Sequence, residues 1–379
     1  MPSTARAETV GSLLRPRHVF DSRAEVREGK KTPAELKALE DAAILDAIKL
    51  QTEVGLDVIT DGEFRRQGWN PATSFLPDAP IEGYQAADDY RITYMKFWRD
   101  ETGTIVNRPL GPGSVIASPL KLRTDIATNE YGFLKQHAGG KRTKYTFTAP
   151  SYHRHFWHPK YSAGTYPTVD AYMEAVVKFI RTNVVDKLVA MGCDYIQIDA
   201  PNYGQAYTDP EVRAAFEAEG HDLKAEVIKD AEYDNALFEG LSGITRAIHV
   251  CRGNGGGGYW SATGGYEHFA ADMFPRLTNI DTLLLEYDTD RAGGFEPLQH
   301  VRKDTTAVLG LLTTKNGKLE DASQVEARVR EASKYLPMDN LALSTQCGFA
   351  SSGLGNPLST DEQRAKLELV CDSAHKLWG

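Results

Sequence analysis

The sequence predicts an α/β fold of the (β/α)8 TIM-barrel class. Apolar runs alternate with amphipathic helical stretches along the whole chain, which is the pattern of βα units and a parallel sheet. The runs number eight, as a closed barrel requires. Polar residues able to do chemistry stand where these runs end, and barrels of this type carry their active sites at the carboxyl ends of the strands.

In chain order the strands are read at ETVGSL (8–13), LDVITDG (56–62), KYTFTAP (144–150), DYIQIDAP (194–201), RAIHVCRG (246–253), DTLLLEYD (281–288), AVLGLLTT (307–314) and LALSTQCG (341–348). Helices are expected over 33–54, 169–191, 222–245, 323–335 and 361–377, where apolar residues recur at three-to-four spacing. Thr32 before Pro33 is a good helix start. The region from about 78 to 141 breaks the alternation and is rich in Asp, Gly, Tyr and Arg, so it is expected to be an elaborated insertion. No linker or internal repeat is visible, and residues 1–379 are read as a single domain.

A formal charge of −9 and a pI near 5.6 argue against nucleic acid or an anionic membrane as partner, because both attract basic surfaces. A small-molecule substrate fits better. No apolar stretch approaches the ~20 residues of a membrane span, and MPSTARAETVGS lacks the apolar core of a signal peptide, so a cytoplasmic location is expected. Four cysteines in so long a chain do not make a disulfide framework. Cys193 and Cys371 read as small buried hydrophobes.

The other two cysteines read differently. His249 and Cys251 occupy alternate positions of one strand and so face the same side. Glu286 and Cys347 end two further strands, so the whole fold would be needed to gather all four. Zn²⁺ takes about four N, S or O ligands in a tetrahedron, and His249, Cys251, Glu286 and Cys347 supply such a set. Structural zinc normally clips short loops, so this arrangement points to catalytic zinc. Two thiolates and a carboxylate make a poor Lewis acid, yet such a centre can bind and deprotonate another thiol, which implies alkylation of a substrate thiol.

Glu63 and Asp199 follow the second and fourth strands and could together receive a substrate ammonium group; their rival role is to anchor neighbouring arginines such as Arg65 or Arg66. Ser12 and Asp61 also stand at strand ends. SYHRHFWHPKY carries three histidines at irregular spacing and reads as a lid or stacking surface for a flat ligand. RGNGGGGYW contains a formal dinucleotide fingerprint, but no helix opens after it; a tight backbone path past the metal is the preferred reading.

In order, VGSLLRP, DGEFRR, QIDAP, HVCRGN, LLLEYD and QCGFAS resemble the catalytic barrel of the cobalamin-independent methionine synthase family, including its single-barrel members. The resemblance spans nearly the whole chain. It implies that His249, Cys251, Glu286 and Cys347 are zinc ligands, with His249, Cys251 and Cys347 catalytic. It further implies that Gly11 and Ser12 contact homocysteine and that Glu63 and Asp199 hold its amino-acid end. The expected activity is zinc-dependent transfer of a methyl group from methyltetrahydrofolate or a simpler donor to a homocysteine-like thiol.

Two departures qualify this expectation. The chain has no room for the additional N-terminal barrel of the full-length synthases. LLTTKNGK also lacks the histidine that the larger synthases place there for proton delivery, which puts the folate donor in doubt. The nearest enzymatic rival is an epoxyalkane:coenzyme M transferase-like alkyltransferase, although a sulfonate thiol would call for cations in place of Glu63 and Asp199. A non-catalytic protein with a structural zinc is a rival of another class. A metal-independent uroporphyrinogen-decarboxylase-like enzyme is disfavoured by the paired cysteines. The oligomeric state, a homo-oligomer included, stays open.

Overall fold

The structure, a computed structural model, describes residues 5–76, 79–106, 112–353 and 355–379. Its eight barrel strands are β1 (Ala7–Glu8), β2 (Val58–Ile59), β3 (Tyr145–Thr148), β4 (Tyr195–Asp199), β5 (Thr245–Val250), β6 (Thr282–Glu286), β7 (Thr306–Leu312) and β8 (Leu341–Thr345). Seven of them form one curled parallel sheet in the order β1-β8-β7-β6-β5-β4-β3. β2 spans the remaining gap. Its Ile59 carbonyl accepts from the Lys144 amide and the Asp57 amide donates to Ala7, both at 3.0 Å.

β1 and β2 are much shorter than the runs that predicted them. Beyond β2 the backbone of Thr60 finds its partners in a side chain instead of a neighbouring strand: its N–H donates to Gln51 Oε1 at 2.9 Å and its carbonyl accepts from Gln51 Nε2 at 2.8 Å. Gln51 is fully buried on the helix Pro33–Val54. That helix begins at a capping box in which Thr32 and Glu35 satisfy each other's backbone donors, and it ends at Gly55 in the left-handed conformation, φ 93°.

The other predicted helices are present as Val169–Ile180, Leu223–Leu237, Ala322–Ala332 and Thr360–Trp378, the first continuing through a π turn at Arg181–Val185 to Asp186–Ala190. They pack their apolar faces against the outside of the sheet. The insertion predicted over 78–141 contains an antiparallel hairpin, Ile81–Ala87 with Gly113–Leu122, followed by the helix Ile126–His137. Asp78 and residues 107–111 within it, like residues 1–4, lie outside the described residues.

Inside the barrel, Val10, Val58, Tyr195, Ala247, Leu284, Val308 and Ala342 form a small apolar layer. Strand alternation then decides what lies above it. The positions two residues further along the same inward face include Gln197, His249 and Glu286, and two beyond those on β4 and β5 come Asp199 and Cys251. The interior layer thus aims the chemistry at the carboxyl end. Among the described residues no helix is long and apolar enough to cross a membrane.

Candidate metal centre and its cavity

His249, Cys251, Glu286 and Cys347 converge so closely that one ligand atom from each lies within 4.8 Å of every other. The Sγ atoms of Cys251 and Cys347 are 3.8 Å apart. That is too long for a disulfide, but two metal–sulfur bonds of ~2.3 Å at a tetrahedral angle subtend about this distance. His249 Nε2 stands 3.7 Å from Glu286 Oε1.

The imidazole is oriented for coordination. His249 Nδ1 lies 3.2 Å from the Leu284 carbonyl, an acceptor only, so Nδ1 carries a proton and Nε2 is the ring nitrogen that faces the cluster. Nε2 is buried and has no hydrogen-bond partner. Glu286 is held at both oxygens, Oε1 accepting from the Arg252 amide at 3.0 Å and Oε2 from Gln346 Nε2 at 3.3 Å. The Gly253 amide donates to Cys251 Sγ at 3.3 Å, and Ser351 Oγ lies 3.4 Å from Cys347 Sγ.

The electrostatics point the same way. Contact between the sulfurs, reinforced by burial, pushes the Cys251 thiol well above its ordinary range, while Cys251 and then His249 pull Cys347 well below. Burial opposes an imidazolium at His249, but Cys347, Asp199 and Glu286 outweigh it and raise the group to about 9. Burial also raises Glu286. Two thiols and a carboxylate packed this tightly away from water repel as anions, and a divalent cation among them relieves that cost. Donor type, spacing and the orphaned Nε2 all fit a metal ion.

A cavity whose empty space, open to solvent, amounts to about 600 Å³ adjoins the cluster, lined by His249, Cys251 and Cys347 with Ser12, Glu63 and Asp199. Trp69, Trp98 and Tyr152 supply aromatic walls. Gly11 sits behind Glu63, where a Cβ would come within 2.6 Å of Glu63 Oε1. Glu63 is the one non-glycine residue with positive φ among the described residues, at 60°, a conformation that costs energy and is tolerated where the surroundings enforce it. Its Oε1 accepts from Thr146 Oγ1 at 2.8 Å, whereas Oε2 is buried without a hydrogen-bond partner. Arg66 lies 3.8 Å from Glu63 but pairs at 2.8 Å with Glu130; Arg65 pairs with Glu40 and Asp41. Glu63 is therefore a minor partner of Arg66, and its Oε2 stands 4.0 Å from Arg15 Nη2 without a hydrogen bond.

Asp199 receives Gln197 Nε2 on Oδ1 at 2.7 Å, and burial raises it to about 7. Asp61 holds the turn by accepting from the Glu63 amide at 2.9 Å and does not line the cavity.

The histidine-rich stretch differs from its expectation. It folds as the helical turns Pro150–His153 and Arg154–Phe156, not a loop, because Pro150 starts a turn that packs on the insertion. His153 Nδ1 meets Tyr84 Oη at 2.6 Å and His155 packs edge-on against Tyr94, so neither faces the metal cluster; from this stretch Tyr152 lines the cavity. The glycine run opens no helix. Gly253 lines the cavity with φ 82°, and a Cβ there would lie 1.8 Å from Ser261 Oγ, so the close backbone path needs glycine. Cys193 donates to the Tyr195 carbonyl, and neither Cys193 nor Cys371 joins the cluster.

Sequence reading overlooked Gln346 and Arg291, the groups around Glu286. Gln346 adjoins Cys347 at a strand end, a signal that was present. Arg291 lies in a 3-10 turn, Asp290–Ala292, after β6, where nothing local marks it.

No family model matches the chain. It is 35% identical to the uncharacterized protein YxjH of Bacillus subtilis strain 168, over 98% of this chain and 94% of that protein. It is 21% identical to the methionine synthase of Saccharolobus solfataricus, over 90% of this chain and 86% of that protein. A Listeria monocytogenes crystal structure assigned as a vitamin-B12-independent methionine synthase superimposes with a TM-score of 0.74 at 25% identity, covering 100% of this chain and 99% of that one.

Proposed function

We propose that this chain, which belongs to the cobalamin-independent methionine synthase family, is a zinc-dependent methyltransferase acting on an amino-acid thiol of the homocysteine type, with residues 1–379 working as one catalytic barrel. The observation that carries the reading is the buried set of two sulfurs, one imidazole and one carboxylate, of which the sulfurs and the imidazole line a cavity shared with two further carboxylates.

His249, Cys251 and Cys347 would hold the ion, with Glu286 as the exchangeable fourth ligand. Zinc bound there supplies an acidified substrate thiol, delivered as thiolate at neutral pH. Glu63 Oε2 and Asp199 receive the substrate ammonium and so aim its sulfur at the cluster. Trp69, Trp98 and Tyr152 exclude water and offer flat faces to a methyl donor. In the transfer, a sulfur lone pair forms the new S–CH₃ bond as the methyl–donor bond breaks. The leaving group keeps that electron pair; a folate nitrogen also takes up a proton, whereas a sulfonium donor leaves as a neutral thioether and the thiol proton goes to solvent. Glu63 and Asp199 favour an amino-acid thiol over a sulfonate thiol, which carries the same charge as these carboxylates.

The test is metal analysis with thiol titration. Wild-type protein is expected to bind one zinc per chain and to show added sulfur coordination by X-ray absorption when homocysteine is supplied. Cys251→Ser and Cys347→Ser are expected to lose stoichiometric zinc while circular dichroism stays unchanged. Full zinc occupancy in either variant would overturn the assignment.

A further inference from the structure

A lysine side chain with no exposure lies inside the barrel, below the cavity and away from the metal cluster. Lys144 Nζ donates to Glu8 Oε2 at 2.7 Å, to the Thr9 carbonyl at 2.6 Å and to Gln197 Oε1 at 2.8 Å. An ammonium group has three donors, and all are used. Glu8 is completed by Tyr195 Oη, at 2.9 and 3.0 Å from its two oxygens. The buried charge is paired and solvated by protein alone.

The third of these bonds fixes the amide of Gln197. Because an ammonium can only donate, Oε1 must face Lys144. Nε2 then donates to the Val10 carbonyl at 2.8 Å and to Asp199 Oδ1 at 2.7 Å. Reversing the amide would set NH₂ against the ammonium and an oxygen against both a carbonyl and a carboxylate. Gln197 is fully buried, so water cannot compensate for the reversed arrangement.

We propose that Gln197, locked by Lys144, is a positioning residue for substrate: it binds Asp199 at Oδ1 and thereby presents Oδ2 to the cavity. The inference rests on the amino-acid thiol reading above. It assigns the buried Lys144–Glu8 pair a purpose beyond barrel stability, since the lysine enforces the donor orientation on which Asp199 depends. Unlike a salt bridge, an amide donor restrains the carboxylate while leaving its charge available to a substrate cation.

The test is calorimetric binding of homocysteine and of 2-mercaptoethanol to the zinc-loaded full chain. Gln197→Met removes the donors at similar volume, and Gln197→Glu keeps an acceptor for Lys144 while losing both donors. Each is expected to weaken homocysteine by about 10-fold and to leave 2-mercaptoethanol within about twofold. In an Asp199→Asn background, Gln197→Met is expected to add nothing further, because the two residues act as one unit. Equal weakening of both thiols by Gln197→Met, or additivity with Asp199→Asn, overturns the proposal. If Gln197→Met does not fold, Gln197→Glu decides; loss of fold in both assigns Gln197 to barrel stability and also overturns it. Should Asp199→Asn weaken the two thiols equally, the amino-acid thiol reading itself fails, whereas a selective Asp199→Asn beside a silent Gln197→Met defeats this inference alone.

Discussion

Gln346 donates from Nε2 to Glu286 Oε2 across 3.3 Å, and its own Oε1 is held by the amide and hydroxyl of Thr314 at 2.9 and 2.8 Å. With Oε1 of Glu286 on the Arg252 amide, the carboxylate is oriented by protein at both oxygens before any metal arrives. Arg291 waits 3.7 Å from Oε2 with buried, unbonded nitrogens of its own.

This arrangement predicts graded effects among the four proposed metal ligands. Outer partners of metal ligands are commonly worth about 10- to 100-fold in affinity, so Gln346→Leu should weaken zinc by that order in competition with a chromophoric chelator. Glu286→Gln should retain bound zinc at reduced affinity, in contrast to the loss expected from either cysteine variant. Unchanged affinity in Gln346→Leu would mean that the Arg252 amide alone fixes the carboxylate.

The pH dependence of substrate binding follows from Asp199. Burial, only partly offset by His249, raises it to about 7, with Glu63 and Cys347 also facing it. Below that pH the free protein carries Asp199 neutral, and a neutral acid is a poor partner for an ammonium. The affinity for homocysteine should therefore fall as pH drops through about 7, by up to about tenfold per unit, and Asp199→Asn should abolish the step. The stability term has the opposite sense: the folded state holds a proton that the unfolded state releases, so this group's contribution declines as pH rises from about 4 to about 7. A homocysteine affinity that is flat across this range in wild-type protein would refute the assignment.

Close approach supplies a test that touches neither the metal nor a charge. A Cβ on Gly11 would stand 2.6 Å from Glu63 Oε1 and 3.1 Å from Thr146 Cγ2. Gly11→Ala should displace the Glu63 carboxylate and weaken homocysteine by on the order of tenfold, as loss of a charged contact does, with zinc content unchanged. Gly348→Ala acts differently, since its Cβ would fall 2.1 Å from Ser12 Oγ. Wild-type homocysteine binding in Gly11→Ala would show that Glu63 does not contact substrate.

The legibility of the barrel and the centre in sequence has a shared physical origin. Fully buried parallel strands read as apolar runs, and strand alternation projects His249 and Cys251 to one side, so eight runs and their polar ends were visible without coordinates. The extents of β1 and β2 were not, because Gln51 replaces a strand partner from a helix, a contact with no local signature. The same limit hid the Lys144–Gln197–Asp199 chain and the place of Arg291: each is a meeting of residues remote in sequence. Tyr152 illustrates the intermediate case: its stretch is expected to be a lid or stacking surface and does bring Tyr152 to the cavity wall, while its helical form and the inward packing of His153 and His155 depend on the insertion.

On the proposed reading, the segment after β7 bears on the choice of methyl donor. Thr314 is spent on Gln346 and the Gly348 carbonyl, while Lys315 is paired with Asp288, and neither residue lines the cavity above the metal cluster. Lys315 and Arg291 overcome burial to hold Asp288 down to about 2, so the Lys315 proton faces a firmly ionised partner instead of a substrate nitrogen. Burial lowers Lys315 itself, which would favour proton release, but the geometry aims that proton at Asp288. Methyl transfer from methyltetrahydrofolate requires protonation of the departing nitrogen, and general acid catalysis contributes about 10²- to 10⁴-fold where a donor is in place. A methyl sulfonium leaves as a neutral thioether and needs no proton. We therefore expect homocysteine methylation from a sulfonium donor to outpace that from monoglutamyl methyltetrahydrofolate, and Lys315→Met to change neither rate by more than a few-fold. The comparison is a methionine-formation assay on zinc-loaded protein with each donor at saturation. Turnover with the monoglutamyl folate near the ~10 per second typical of enzymes would refute the expectation and require an acid from another wall of the cavity.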